Sequence, residues 1–399
     1  MALTGGGVDR LPILEQRAIS PLMGALRYHR RLSEEENVMS RFWSPIVARL
    51  QPYTPGEQPR VEGMIKLNTN ENPYGPSPRV TAALRALDPD DLRRYPDPQA
   101  SALRAALAQR FALTPAHVFV GNGSDEVLAH IFHALLQHER PLFMPDLTYS
   151  FYPTYARLYG VAYEEVPLHA DLSLAIEDYR RDAGAIILPN PNAPTGRLLP
   201  LSALRQLLVE HPQEVVVIDE AYIDFGGESA ASLIPEFEQL VVVQTFSKSW
   251  SLAGARVGFA LAQPHLIEAL ERVKNSFNSY PLDRWAQVAA QAALSDTAWF
   301  NECCGRVIAE RERLATALTA LAFEVLPSAA NFLFVRHAVG ARRLLAALRE
   351  RRIFVRHFAG GRSEDWLRIS VGQAAENDAL LAALHDIIAV APPAPETAR

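Results

Sequence analysis

Short apolar runs rich in β-branched residues recur along the chain, separated by stretches with helical periodicity. AIILPNP at 185–191, EVVVIDEAY at 214–222 and QLVVVQTFS at 239–247 are each too short for a helix and suit strands buried on both faces. RVTAALRALDP, SALRAALAQRF and LSALRQLLVEH instead repeat apolar positions three and four apart, the spacing of one helix face. HVFVGNGSDEVLAHIFHALL reads as a short strand, a glycine turn and a long helix. Such alternation predicts an α/β fold with a mostly parallel sheet covered by helices. Past about residue 300, RVIAERERLATALTALAF, NFLFVR, ARRLLAALRERRIFVR and WLRISVG describe helices against a smaller sheet. Residues 1–60 carry a glycine run, the charged stretch RRLSEEEN and four prolines from 45 to 59, and read as an arm with one or two short helices. The predicted division is an arm at 1–60, a large domain at 61–298, a small domain at 299–390 and a disordered tail, APPAPETAR, at 391–399.

Polar residues gather where the predicted strands end. NPNAPTG follows AIIL, DEAY follows VVVI, and TFSKS follows VVVQ. In an open parallel sheet that edge holds the ligand crevice. Asp219 ends an apolar strand, where desolvation penalises its charge unless a cation or donors compensate. It reads either as a cap of the next turn or as an anion held against a cationic ring nitrogen. Lys248, at the next strand's exit, is a candidate nucleophilic amine. In GNGSDE, Gly121 and Gly123 relax the turn, and Ser124 and Asp125 begin the following helix, whose N–H groups suit a phosphate. The same residues also make an ordinary glycine turn with a helix cap. With Thr245, Ser247 and the guanidinium fork of Arg256 they form a candidate phosphate cradle. A lysine, a buried aspartate and a phosphate cradle together point to pyridoxal phosphate, with Tyr149 available as an aromatic face.

Composition narrows the partners. The 399 residues are 49% apolar and 21% charged, with a net charge of −6, which gives no reason to expect nucleic acid or an anionic membrane. Two adjacent cysteines, Cys303 and Cys304, are too few for a disulfide framework or a zinc site, so no metal is expected. No apolar run approaches a membrane span, and Glu15, Arg17, Arg27 and Arg30 break any secretion signal, so the chain reads as cytoplasmic.

The motifs NTNENPYGPSP, RRYPDP, GNGSDE, NPNAPTG, DEAYIDF, SKSWSLAGARVGF, SAANFLFV and WLRISVG occur in one order across about residues 60–375. In that order they resemble the histidinol-phosphate aminotransferase family of fold-type I enzymes that use pyridoxal phosphate. The resemblance implies a large domain with a mostly parallel seven-stranded sheet between helices, a smaller α/β C-terminal domain, and a homodimer. It implies an aminotransferase of histidine biosynthesis exchanging an amino group between L-histidinol phosphate and 2-oxoglutarate. Carried over position by position, Lys248 resembles the Schiff-base lysine and Asp219 the partner of the ring nitrogen. Tyr222 and Asn192 resemble donors to the ring's phenolic oxygen; Ser124, Asp125, Ser247 and Arg256 match the phosphate site, Gly123 and Thr245 are further cofactor-binding positions, and Tyr149 stands at the ring. Tyr95 matches a residue that crosses the dimer interface to the partner's cofactor phosphate. Tyr53, Asn72, Asn331, Arg356 and Arg368 fall at substrate positions, the two arginines as grips for anionic groups.

The chain departs from the family's usual pattern at Asn192-Ala193, where two asparagines are usual, at Ser249-Trp250, and at Gln373. The segment 273–287 and the arm also differ. An aromatic or other amino-acid transaminase, a phosphothreonine-type decarboxylase and a non-catalytic cofactor-binding regulator are the alternatives on the same machinery. The last would normally carry a DNA-binding module, and the arm has no basic recognition helix.

Overall fold

A computed structural model describes residues 40–390; the expected helices of the arm before residue 40 and the tail at 391–399 lie outside them. The chain falls into two compact units, divided between Leu50 and Gln51. Among the described residues of the first, the only helical element is a single 3-10 turn, Val47–Arg49. Residues 51–60, assigned from sequence to the arm, belong to the second unit.

The second unit holds two sheets. Seven strands form the larger one: β2 (Val118–Asn122), β3 (Leu142–Pro145), β4 (Tyr163–Val166), β5 (Ala185–Pro189), β6 (Val215–Asp219), β7 (Leu240–Thr245) and β8 (Val257–Ala262). Their order across the sheet is β2-β8-β7-β6-β5-β3-β4. β8 pairs antiparallel with both its neighbours, and every other pairing is parallel. Side chains alternate across the sheet, so each strand feeds two cores. Ile186, Leu188, Val216, Ile218 and Val242 pack into one apolar cluster, and Ala185, Ile187, Val217, Val241 and Val243 into another. Burial on both faces is the reason these runs are continuously apolar instead of alternating.

The smaller sheet runs β1-β11-β12-β10-β9, from β1 (Ile65–Leu67), β9 (Glu324–Val325), β10 (Phe332–Arg336), β11 (Ile353–His357) and β12 (Leu367–Ser370). Sequence reasoning put residue 61 onward in the large domain. Here β1 is instead an edge strand of the small sheet, parallel to β11 with Ile65 beside Ile353. No helix among the described residues is long and apolar enough to cross a membrane.

Strand direction decides what reaches the ligand edge. β2, β5, β6 and β7 end on the same edge, carrying Asn122, Pro189, Asp219 and Thr245 there. β8 runs the other way, so its first residues, preceded by Arg256, also stand at that edge.

Candidate active site

A cavity of about 260 Å³ opens at this edge. Asp219 is one of its walls, only 5% exposed. Tyr152 donates its hydroxyl to Asp219 Oδ2 at 2.8 Å, and the Ala221 N–H donates to Oδ1 at 3.2 Å. Among the described residues no side chain forms an ion pair with Asp219. Burial therefore dominates and pushes its pKa up to about 6, with the nearby Asp125 adding to the shift and the two hydrogen bonds opposing it. A carboxylate desolvated to this degree without a counter-ion is completed by a cationic N–H.

Beside it lies a set of groups suited to an anion. Gly123 takes φ +78° at the first turn of the helix Gly123–Leu135, and Ser124 and Asp125 of that turn line the cavity. A Cβ on Gly123 would lie 2.4 Å from Arg256 Nη2, and one on Gly258 would lie 2.3 Å from the backbone nitrogen of Ser124. The two glycines thus let β8 and Arg256 close against the helix start, whose N–H groups carry the positive end of the helix dipole. Arg256 Nη2 donates to Asp125 Oδ2 at 2.7 Å, and Tyr149 donates to Asp125 Oδ1 at 2.9 Å. Thr245 Oγ1 donates to Ser247 Oγ at 3.0 Å, and both residues line the same cavity. Helix N–H groups, hydroxyls and a guanidinium make a phosphate site, and with Asp219 they fit pyridoxal phosphate.

Lys248 Nζ donates to the Thr69 carbonyl at 3.1 Å and stands 5.6 Å from the centre of the Tyr222 ring. Its backbone is held from outside: Asn72 Nδ2 donates to the carbonyls of Lys248 and Ser249, each at 3.2 Å. Ser249 in turn donates its hydroxyl to the half-buried carboxylate of Asp224. The small sheet supplies Arg356 from β11 and Arg368 from β12, directly opposite each other in the register. The Phe358 ring centre lies 5.3 Å from the Arg356 guanidinium and 5.2 Å from that of Arg368, and Phe332 packs on Arg368 at 5.3 Å. Burial lowers the pKa of Arg368, and the neighbouring Arg356 adds to that. Tyr53 lines the cavity and rests against Phe151, ring centres 4.7 Å apart.

The cavity gathers twelve of the residues singled out in the sequence: Tyr53, Ser124, Asp125, Tyr149, Asp219, Tyr222, Thr245, Ser247, Lys248, Arg256, Arg356 and Arg368. The other five lie off its wall. Gly123 acts through its backbone turn. Asn72 and Asn331 hold backbone carbonyls, Asn331 donating to Asn70 O at 2.9 Å. Tyr95 is 78% exposed and stacks on Tyr280 with ring centres 4.6 Å apart. Asn192 donates to Leu147 O at 3.1 Å and Thr195 Oγ1 at 3.0 Å and lines a neighbouring cavity; Ala193 is the residue of that turn on the main wall. Sequence reasoning missed Asn68, Thr69, Ser150 and Phe358 on the wall, and Tyr152 behind Asp219. Only Asn68 and Thr69 had a signal, as members of the NTNENP motif.

The sequence model of the family described as aminotransferase class I and II matches residues 62–384. A protein from Rhizobium meliloti (strain 1021) named histidinol-phosphate aminotransferase 2 is 59% identical over 351 residues, covering 88% of this chain and 100% of that relative. A protein of the same name from Burkholderia lata is 60% identical over 355 residues, with 88% and 100% covered. The solved structure of histidinol-phosphate aminotransferase from Sinorhizobium meliloti, in complex with pyridoxal-5'-phosphate, matches with a TM-score of 0.79 at 26% identity, over 89% of this chain and 99% of that one. L-threonine-O-3-phosphate decarboxylase from Porphyromonas gingivalis matches with a TM-score of 0.71 at 24% identity, over 82% and 100%, a likeness of fold alone. With its family match spanning most of the second unit and its strand-end residues gathered around one cavity, the chain belongs to the class I and II aminotransferases.

Proposed function

We propose that the chain is a pyridoxal-phosphate-dependent aminotransferase that takes the amino group of L-histidinol phosphate and passes it to 2-oxoglutarate. The observation that carries the substrate is the pair Arg356 and Arg368. Both line the cavity wall from paired positions on neighbouring strands, in addition to the Arg256 that serves the cofactor cradle. A planar fork of donors suits both the phosphate of one substrate and the carboxylate of the other. The names of the relatives at 59% and 60% identity support the same reading.

Bound in this cavity, pyridoxal phosphate supplies the carbonyl carbon that carries the amino group and the ring that accepts electron density from the substrate carbon. Ser124, Thr245, Ser247 and Arg256 would hold its phosphate, and Asp219 would keep a proton on its ring nitrogen. Tyr222 would donate to its phenolic oxygen. Lys248 Nζ, released from the Thr69 carbonyl, takes the proton from the substrate's amine-bearing carbon and later returns one. Arg356 and Arg368 bind the substrate's anionic group and so fix that carbon within reach of the lysine. We also propose a cytoplasmic homodimer in which the exposed Tyr95–Tyr280 pair packs on a second copy and Tyr95 reaches its cofactor phosphate.

The test is the absorbance of cofactor-loaded protein during separate additions of L-histidinol phosphate, L-phenylalanine and L-glutamate. The reading expects the visible band to be lost with histidinol phosphate and with glutamate, and to return with 2-oxoglutarate. A response to phenylalanine and none to histidinol phosphate would move the assignment to an aromatic transaminase. Carbon dioxide release from phosphothreonine would move it to a decarboxylase.

A further inference from the structure

We infer that Asn70 is a positioning residue that aims the Tyr222 hydroxyl proton into the cavity. The inference rests on the aminotransferase reading above. Asn70 is 1% exposed, adopts φ +55°, and uses both ends of its amide. Its Nδ2 donates to Tyr222 Oη at 3.0 Å, and its Oδ1 accepts from Ser370 Oγ at 2.9 Å. Ser370 Oγ also accepts the Asn70 backbone N–H at 2.9 Å, which commits a lone pair of the serine and leaves its proton for Oδ1. The side-chain NH₂ is thereby turned toward Tyr222.

A phenol that accepts one hydrogen bond has its own proton free for another partner. Tyr222 lines the cavity, and its ring is held by the edge of Phe332, ring centres 5.1 Å apart. With Asn70 donating from behind, the O–H points to the cavity and is available to the cofactor's phenolic oxygen. A donor aimed at that oxygen favours its anionic form. The charged groups about this ring are Lys248, 5.6 Å from its centre, and Arg368, which stands on the same Phe332 ring; Asp219 and Asp224 flank it in sequence. None of them hydrogen-bonds to Tyr222 Oη, so among the described residues Asn70 alone sets the phenol's donor direction.

The experiment is a pH titration of the visible absorbance of the cofactor-loaded protein, run on the native chain, Asn70→Asp, Asn70→Gly, Tyr222→Phe and the double variants. Aspartate keeps the acceptor for Ser370 but replaces the donor to Tyr222 with a second acceptor, so the phenol turns its proton away from the cavity. Asn70→Asp is expected to raise the titration midpoint by about one pH unit, in the direction of Tyr222→Phe, with its new negative charge adding to the shift. Asn70→Gly suits the φ of +55° and removes the donor without adding a charge; it is expected to raise the midpoint in the same direction and to add little on top of Tyr222→Phe. A folded Asn70→Gly variant with the native midpoint, or an Asn70→Gly shift that persists in full in the Tyr222→Phe background, overturns the inference and leaves the aminotransferase reading standing. A native protein with no visible band on cofactor addition overturns both.

Discussion

Asp219 is a carboxylate taken out of water with two donors and, among the described residues, no cation, and burial raises its pKa to about 6. The folded value lies above the ordinary 3.8, so its contribution to stability is fully present below pH 3.8 and is lost as pH rises through about 6. At pH 7 the cofactor-free fold is then about 3 kcal/mol less stable on this account than at pH 3, an order-of-magnitude figure. Buried Glu220, raised to about 7 although three donors oppose the shift, acts in the same direction at slightly higher pH. Asp219→Asn removes only the first share. Cofactor-free Asp219→Asn is expected to melt higher than the native protein at pH 8, with the gap closing near pH 4. Thermal unfolding across that range checks it, and a variant that is relatively worse at pH 8 would refute the account of Asp219 as an unpaired anion. Activity of the loaded variant should fall about 100-fold or more, because a neutral amide no longer holds the ring-nitrogen proton.

At the scale of elements, one close approach sets the cradle. β8 runs against the helix Gly123–Leu135 with no room for a side chain, since a Cβ on Gly258 meets backbone atoms of Ser124 and Gly123 at 2.3 and 2.4 Å. Gly258→Ala must therefore move the helix start or the strand, at a cost of about 1–3 kcal/mol, and should weaken cofactor binding more than tenfold. Denaturant unfolding together with cofactor titration measures both, and native affinity in the variant would show that the helix start is not part of the cradle. The strands themselves were legible in sequence: residues 185–189, 215–219 and 240–245 fall inside the three apolar runs, because burial on both faces leaves a pattern that needs no partner to be read. β1 was not. It is three residues long, and its partner strand lies nearly 300 residues on. The turn at Asn192-Ala193 shows the same limit at the site. Spacing brings both residues to the strand end, but only the carbonyl of Leu147, taking the Asn192 amide, decides which one faces the cavity. Tyr152 and Asn70 escaped notice for a like reason, since their hydroxyl and amide find Asp219 and Tyr222 across 67 and 152 residues.

The cavity as a whole is built by both sheets. The large one supplies Asp219, Lys248 and the cradle, and the small one supplies Arg356 and Arg368. Like charges directly opposite on an antiparallel pair are destabilising, and here both guanidiniums pack on the one ring of Phe358. An arrangement that is unfavourable in the empty protein is relieved when an anion binds between or beside the pair. Removing one arginine should thus separate stability from binding. Arg356→Ala is expected to leave the cofactor-free melting temperature unchanged or slightly raised, while the KM for L-histidinol phosphate rises about 10- to 100-fold, the worth of a lost charge-assisted hydrogen bond. The KM for L-glutamate should rise less, because a carboxylate can be held by Arg368 alone through its two-pronged fork. Arg368→Ala should impair both substrates, since its guanidinium packs on both Phe332 and Phe358 and anchors the Asn68 carbonyl at 3.1 Å. Steady-state kinetics of both variants with each amino donor checks the split. Equal losses for the two donors in Arg356→Ala would mean that the second guanidinium is not the phosphate grip, and the substrate would then have to be one that carries a single carboxylate.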